Sequence, residues 1–130
     1  MLILQCILCL QSQSIDFTNA FAQADIPSGE PIFIELPRYF KSDGGQYDVV
    51  IKLKTSLYGQ DKAARLCHEK LRNGFLGRGF VMSTVDPCLF MSETVICVVY
   101  VDDCIFWSHS QSEIDNVMNS LKEDGPSYNW

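Results

Sequence analysis

With 130 residues the chain has room for one compact domain and a real core, which excludes a multidomain machine. Hydrophobic residues make up 47% and charged residues 20%, the balance of a globular chain and not of a disordered one. The net charge of -6 and pI near 4.7 repel phosphates, so a polynucleotide would have to be gripped by basic surface from elsewhere.

The opening MLILQCILCL is apolar but lacks the basic start and small-residue cleavage site of a signal peptide, and it is about half the length of a bilayer span. A buried strand, or a start created by truncation or gene-model choice, is expected there in preference to an export signal. A short apolar run from Ser14 to Phe17 contains Asp16 and passes into Phe17-Thr-Asn-Ala-Phe21-Ala, a strand leading into a helical turn. After the Pro27, Gly29 and Pro31 loop, Ile32, Ile34 and Leu36 alternate with Phe33 and Glu35 at the period of a half-buried strand. The polar, Gly-rich stretch 41–47 reads as a turn, and Val49, Ile51 and Leu53 form the strand that returns from it.

Beyond Gly59 the spacing becomes helical, with Ala64, Cys67, Leu71 and Phe75 on one face and Gly77 and Gly79 as stops. Residues 95–101 and 104–107 are two apolar strands interrupted by Asp102-Asp103, the pattern of a hairpin. Ser110 and Glu113 suit a capping box ahead of Ile114, Val117, Met118 and Leu121, an amphipathic helix that stops near Gly125-Pro126. The order predicts an α+β fold, an antiparallel-rich sheet with helices packed on one face. The six cysteines form no dense framework and read as reduced core residues, and Cys6-x-x-Cys9 has neither a second pair nor a histidine set to make a metal site.

Two adjacent carboxylates at a hairpin tip between apolar strands repel one another unless a proton or a cation joins them. If the strand ending at Asp16 lies beside the hairpin, three carboxylates converge, the hard-oxygen set that Mg²⁺ accepts while keeping water and phosphate ligands. Two such ions roughly 4 Å apart clamp the attacking and leaving oxygens of a phosphoryl transfer. The plainer alternative is that Asp-Asp is a turn dipeptide and Asp16 a helix N-cap.

Five blocks follow one another along the chain: IDFTNAF from Ile15 to Phe21, ELPRYF from Glu35 to Phe40, KLKTSLYG from Lys52 to Gly59, GFVMSTVDPCLF from Gly79 to Phe90, and YVDD from Tyr100 to Asp103. In these blocks and their order, from about Asp16 to the hairpin, the chain resembles the reverse transcriptase of copia-type LTR retrotransposons. The resemblance implies a polymerase palm with a ferredoxin-like sheet over residues 14–125, preceded by an apolar extension at 1–13 and followed by a tail at 126–130. It implies an RNA-directed DNA polymerase in which Asp16 and Asp102 hold two Mg²⁺ ions (or Mn²⁺), Asp103 assists, and the Phe17 carbonyl completes the site. Phe21 would pack under the nucleotide sugar and reject a 2′-hydroxyl, with Gly59, Tyr100 and Val101 also on the nucleotide side.

The implied partners are an RNA or DNA template-primer, dNTPs and the rest of a polyprotein with fingers, thumb and RNase H. The implied setting is a cytoplasmic virus-like particle or the nucleus, with neither secretion nor a membrane. Two departures stand out. The family's L-K-Q-A-P-R after SLYG is replaced by Gln60-Asp61-Lys62-Ala63-Ala64-Arg65, and Cys67-His68 stands where an aromatic pair is usual. With the net acidity and no basic flanking segment in the chain, little polymerase activity is expected of it alone. The competing reading is a non-enzymatic α+β remnant or interaction protein in which the Asp pair is only a hairpin turn.

Overall fold

The computed structural model describes residues 2–17, 20–37 and 50–123. The expected turn at 41–47, the last three residues of the ELPRYF block and the stop at Gly125-Pro126 lie outside them. The elements in chain order are α1 (Leu2–Ile7), β1 (Gln11–Asp16), α2 (Ala20–Gln23), β2 (Phe33–Glu35), β3 (Val50–Lys52), α3 (Ala63–Leu76), β4 (Val81–Met82), β5 (Leu89–Met91), β6 (Val95–Tyr100), β7 (Asp103–Ser108) and α4 (Gln111–Glu123).

Five strands form one sheet in the order β1-β7-β6-β5-β4, with every neighbouring pair antiparallel, and β2 and β3 form a separate antiparallel ribbon. The α+β architecture expected from the element order is therefore present. Alternation along the strands decides which side is core. Val95, Cys97 and Val99 of β6, Cys104 and Phe106 of β7, Ile15 of β1 and Phe90 of β5 are buried in one cluster. Leu66, Cys67, Leu71 and Phe75 of α3 and Ile114, Met118 and Leu121 of α4 complete that cluster. Phe75 sits at its centre, with ring centroids 5.3 Å from Phe80, 5.1 Å from Phe90 and 6.2 Å from Phe106. Burying a side chain of that size contributes about 3 kcal/mol, which makes this contact set the main anchor of α3 on the sheet.

Several elements differ from expectation. The opening segment is a short helix, not a buried strand: Ile3 is 76% and Ile7 69% exposed, and a continuous apolar run has no period to separate the two forms. Its Gln5 accepts a hydrogen bond from the Trp107 indole at 3.1 Å and donates one to Ser12 at 2.9 Å. Cys6 and Cys9 are consequently exposed, not core residues, although all six cysteines are free thiols as expected. On α3 the buried alanine is Ala63, with Ala64 turned to solvent, because the helix starts at Ala63 and its core stripe runs through Leu66 and Cys67. Strands β4 and β5 were hidden in the GFVMSTVDPCLF block, since two- and three-residue strands carry almost no periodicity. Ser110 precedes α4 as expected, but its hydroxyl lies 2.7 Å from the Ser112 hydroxyl, and the Glu113 carboxylate accepts from Thr94 at 3.2 Å.

Candidate active site

The hairpin turn is one residue earlier than the sequence suggests. Tyr100 pairs with Asp103, so Val101 and Asp102 form the two-residue loop and Asp103 is the first residue of β7. Val101 takes φ 59, whereas Asp102 is not among the positive-φ residues, the sign pattern of a II′ turn that normally wants glycine first. A β-branched residue there carries backbone strain of about 1–3 kcal/mol. The turn is supported from the core side: the Phe17 N–H donates to the Asp102 carbonyl at 2.8 Å, and the Cys67 thiol on α3 lies 4.0 Å from the Val101 carbonyl.

The β1–β7 register sets Asp16 directly opposite Asp103, and the β6–β7 register sets Tyr100 on the far side of Asp103. Partnered positions share a face, so Asp16, Asp103 and Tyr100 form one row across three strands on the side away from the helices. Directly opposed Cβ atoms lie about 5 Å apart, and like charges in that arrangement destabilise a ladder. Among the described residues no lysine or arginine forms an ion pair with any of the three aspartates; the ion pairs seen there are Lys62–Glu30 and Arg65–Glu69. Asp16 and Asp103 are exposed and Asp102 is half-buried.

Asp102 also acts on the helix below. Burial first, and then the Asp102 carboxylate, push the Cys67 thiol up to about 11. Cys104 is pushed up as well, by its hydrogen bond with Cys97 and by burial. The structure thus pairs Asp16 with Asp103 through the ladder, and it ties Asp102 in through its backbone while the Asp102 charge acts on Cys67. No cluster of three metal-ligating side chains close enough to hold an ion occurs among the described residues. The donor chemistry, carboxylates that form no ion pair among the described residues, suits a hard divalent ion. The Phe17 carbonyl accepts from the Ala20 N–H at 3.1 Å.

Phe21 is half-buried on α2, and the exposed Tyr58 ring meets it edge-on with centroids 4.6 Å apart and planes at 89°. Gly59 follows with φ +88, a conformation that only glycine adopts cheaply. Ser56 is fully buried beneath them, its hydroxyl donating to the Phe21 carbonyl and its N–H to the Ala24 carbonyl at 2.9 Å. Sequence reasoning singled out Phe21 and Gly59 but not Ser56 or Tyr58, although both stand in the SLYG block. His68 packs, with Nε2 3.1 Å from the Pro87 carbonyl and its ring 6.3 Å from Phe90, and His109 is exposed.

The pattern defining the family described as "Reverse transcriptase (RNA-dependent DNA polymerase)" matches residues 9–125. The "Retrovirus-related Pol polyprotein from transposon RE1" of Arabidopsis thaliana is 30% identical over 115 residues, covering 85% of this chain and 8% of that protein. The corresponding polyprotein from transposon RE2 is 27% identical over the same shares, and the "Truncated transposon Ty1-A Gag-Pol polyprotein" of Saccharomyces cerevisiae is 28% identical over 84% of the chain and 9% of its own length. No solved structure matches. The chain thus spans less than a tenth of these relatives. It belongs to the reverse transcriptase family, in the copia-type group of retrotransposon Pol polyproteins.

Proposed function

We propose that the chain is the palm portion of an RNA-directed DNA polymerase and that Asp16, Asp102 and Asp103 are its metal-binding carboxylates. The observation that carries this is the Asp16–Asp103 opposition beside a strained turn, a repulsive arrangement of two carboxylates that form no ion pair among the described residues. On this reading the three aspartates hold two Mg²⁺ ions, or Mn²⁺, with the Phe17 carbonyl as a further oxygen. When bound, such ions neutralise phosphate charge and favour the alkoxide of an attacking hydroxyl.

The chain's own residues then act by position. Phe21 and Gly59 border the incoming dNTP, and Tyr100 and Val101 stand between the carboxylate row and the primer end. Holding the reacting groups in line supplies most of what phosphoryl transfer needs. The template-primer, the dNTPs and the remaining polyprotein are the partners, in a virus-like particle or the nucleus. Residues 14–125 form the palm core, with 1–13 as an extension and 126–130 as a tail. Since the net charge is -6, the chain by itself extends primers weakly or not at all.

Metal binding tests the reading without requiring activity. Titration with Mn²⁺ should broaden the amide resonances of Asp16, Phe17, Asp102 and Asp103 first, and the Asp16→Asn and Asp103→Asn variants should lose that selectivity. Uniform broadening over all acidic surface residues would sink the proposal.

A further inference from the structure

Helix α2 has only four residues, so its carbonyls have few partners within the helix. The Ala24 N–H donates to the Phe21 carbonyl at 3.1 Å, and further donors come from outside. Ser56 donates its hydroxyl to the Phe21 carbonyl and its N–H to the Ala24 carbonyl at 2.9 Å, and the Lys70 ammonium donates to the Gln23 carbonyl. Ser56 is 0% exposed, and the only other buried polar side chain among the described residues, Ser108, lies at the far end of β7. A buried hydroxyl that gives up water needs a defined acceptor, and here the acceptor belongs to the residue carrying the aromatic ring. Two positions along, Tyr58 sets its ring edge-on against Phe21. One serine therefore holds both the backbone under Phe21 and the start of the segment that bears Tyr58.

We propose that Ser56 is a positioning residue for a two-ring shelf, Phe21 and Tyr58, and that the rejection of a 2′-hydroxyl that the family resemblance implies at Phe21 depends on Ser56 keeping that shelf rigid. The proposal rests on the nucleotide-side assignment of Phe21 made above. A rigid aromatic edge offers no partner to an additional 2′-hydroxyl and keeps water from following it, so the ribonucleotide loses hydration without compensation. A loosened shelf admits water and erases the difference. Ser56 touches no substrate; it acts through Phe21.

The test uses the full chain with MgCl₂ and measures binding of dATP and ATP by calorimetry, alongside NOE contacts between the Phe21 and Tyr58 rings in ligand-free protein. Ser56→Ala should abolish the ring NOEs, keep those of the Phe75–Phe90 core, and lower the dATP-over-ATP preference by about fivefold, the worth of one net hydrogen bond. Ser56→Thr, which retains the hydroxyl, should restore both readouts, and Ser108→Ala, which removes a buried hydroxyl elsewhere, should change neither. Unchanged ring NOEs in Ser56→Ala, or lost NOEs with an unchanged preference, would overturn the proposal while leaving the polymerase reading intact. If the parent chain binds neither nucleotide, the nucleotide-side assignment falls and the discrimination role falls with it.

Discussion

The Phe17 N–H donates to the Asp102 carbonyl at 2.8 Å, and this single bond joins the end of β1 to the hairpin turn between β6 and β7. It places the residue after Asp16 against the residue before Asp103, so the three aspartates are held by backbone and not by the reach of their side chains. Changing one carboxylate should therefore alter charge while leaving the local path of the chain intact.

That separation gives the first prediction. Asp16→Asn or Asp103→Asn removes a like charge from a directly opposed pair and should stabilise the metal-free chain by a few tenths of a kcal/mol. Urea unfolding with and without MgCl₂ checks it: the parent chain should gain stability from Mg²⁺ and the variants should gain little. A parent midpoint indifferent to Mg²⁺ would count against the carboxylates as ligands.

Backbone strain at Val101 gives the second. Its φ of 59 suits glycine, so Val101→Gly relieves the turn, and the gain exceeds the added freedom of the unfolded chain, for a net stabilisation of about 1 kcal/mol. The urea midpoint should rise at unchanged slope. In the proposed polymerase the same change should impair activity, since the residue beside the primer end is lost.

The thiols give a third prediction, with a sign that can be worked out. Burial and the Asp102 carboxylate raise Cys67 in the folded chain from 9.0 to about 11. The unfolded chain therefore releases its proton first, so this contribution to stability is complete below pH 9 and is lost as pH rises towards 11. The slope for one such group approaches about 1.4 kcal/mol per pH unit. Cys67→Ala should flatten the alkaline decline in Tm, and alkylation mapping should label the exposed Cys6 and Cys9 well before Cys67, Cys97 or Cys104.

The core gives the fourth. Phe75 is fully buried among Phe80, Phe90 and Phe106, and Phe75→Ala should cost about 3–5 kcal/mol. In a domain of ordinary marginal stability that is enough to unfold a large fraction of the chain, and loss of near-UV circular dichroism at 25 °C would register it.

Much of this was legible in the residues because the physical signals were local. The alternation of Ile32, Ile34 and Leu36, the four-residue spacing of Cys67, Leu71 and Phe75, and the apolar strands around Asp102 each fixed an element that the structure contains. The failures have equally local causes. Leu2–Ile7 has no period, β4 and β5 are too short to have one, and the turn falls at Val101-Asp102 because Tyr100 pairs with Asp103, whereas turn chemistry alone favours the Asp-Asp dipeptide. For the candidate site, Asp16, Asp102 and Asp103 stood out as carboxylates in apolar surroundings, but their pairing needed the ladder. Ser56 was invisible because a serine between Thr55 and Leu57 looks like a loop residue until burial gives its hydroxyl a single acceptor.

The β1–β7 ladder also bears on the time course of folding. Strands β5, β6 and β7 meet across short connections, whereas Gln11 must find Ser108 and Asp16 must find Asp103 at the far end of the sequence. Long-range pairing forms late because the entropy of closing the loop is lost before the contacts repay it. Pulse-labelled hydrogen exchange should find β6 protected early and β1 last. The carboxylate row would then exist only in chains whose core is already complete, and a partly folded chain would present Asp103 without Asp16.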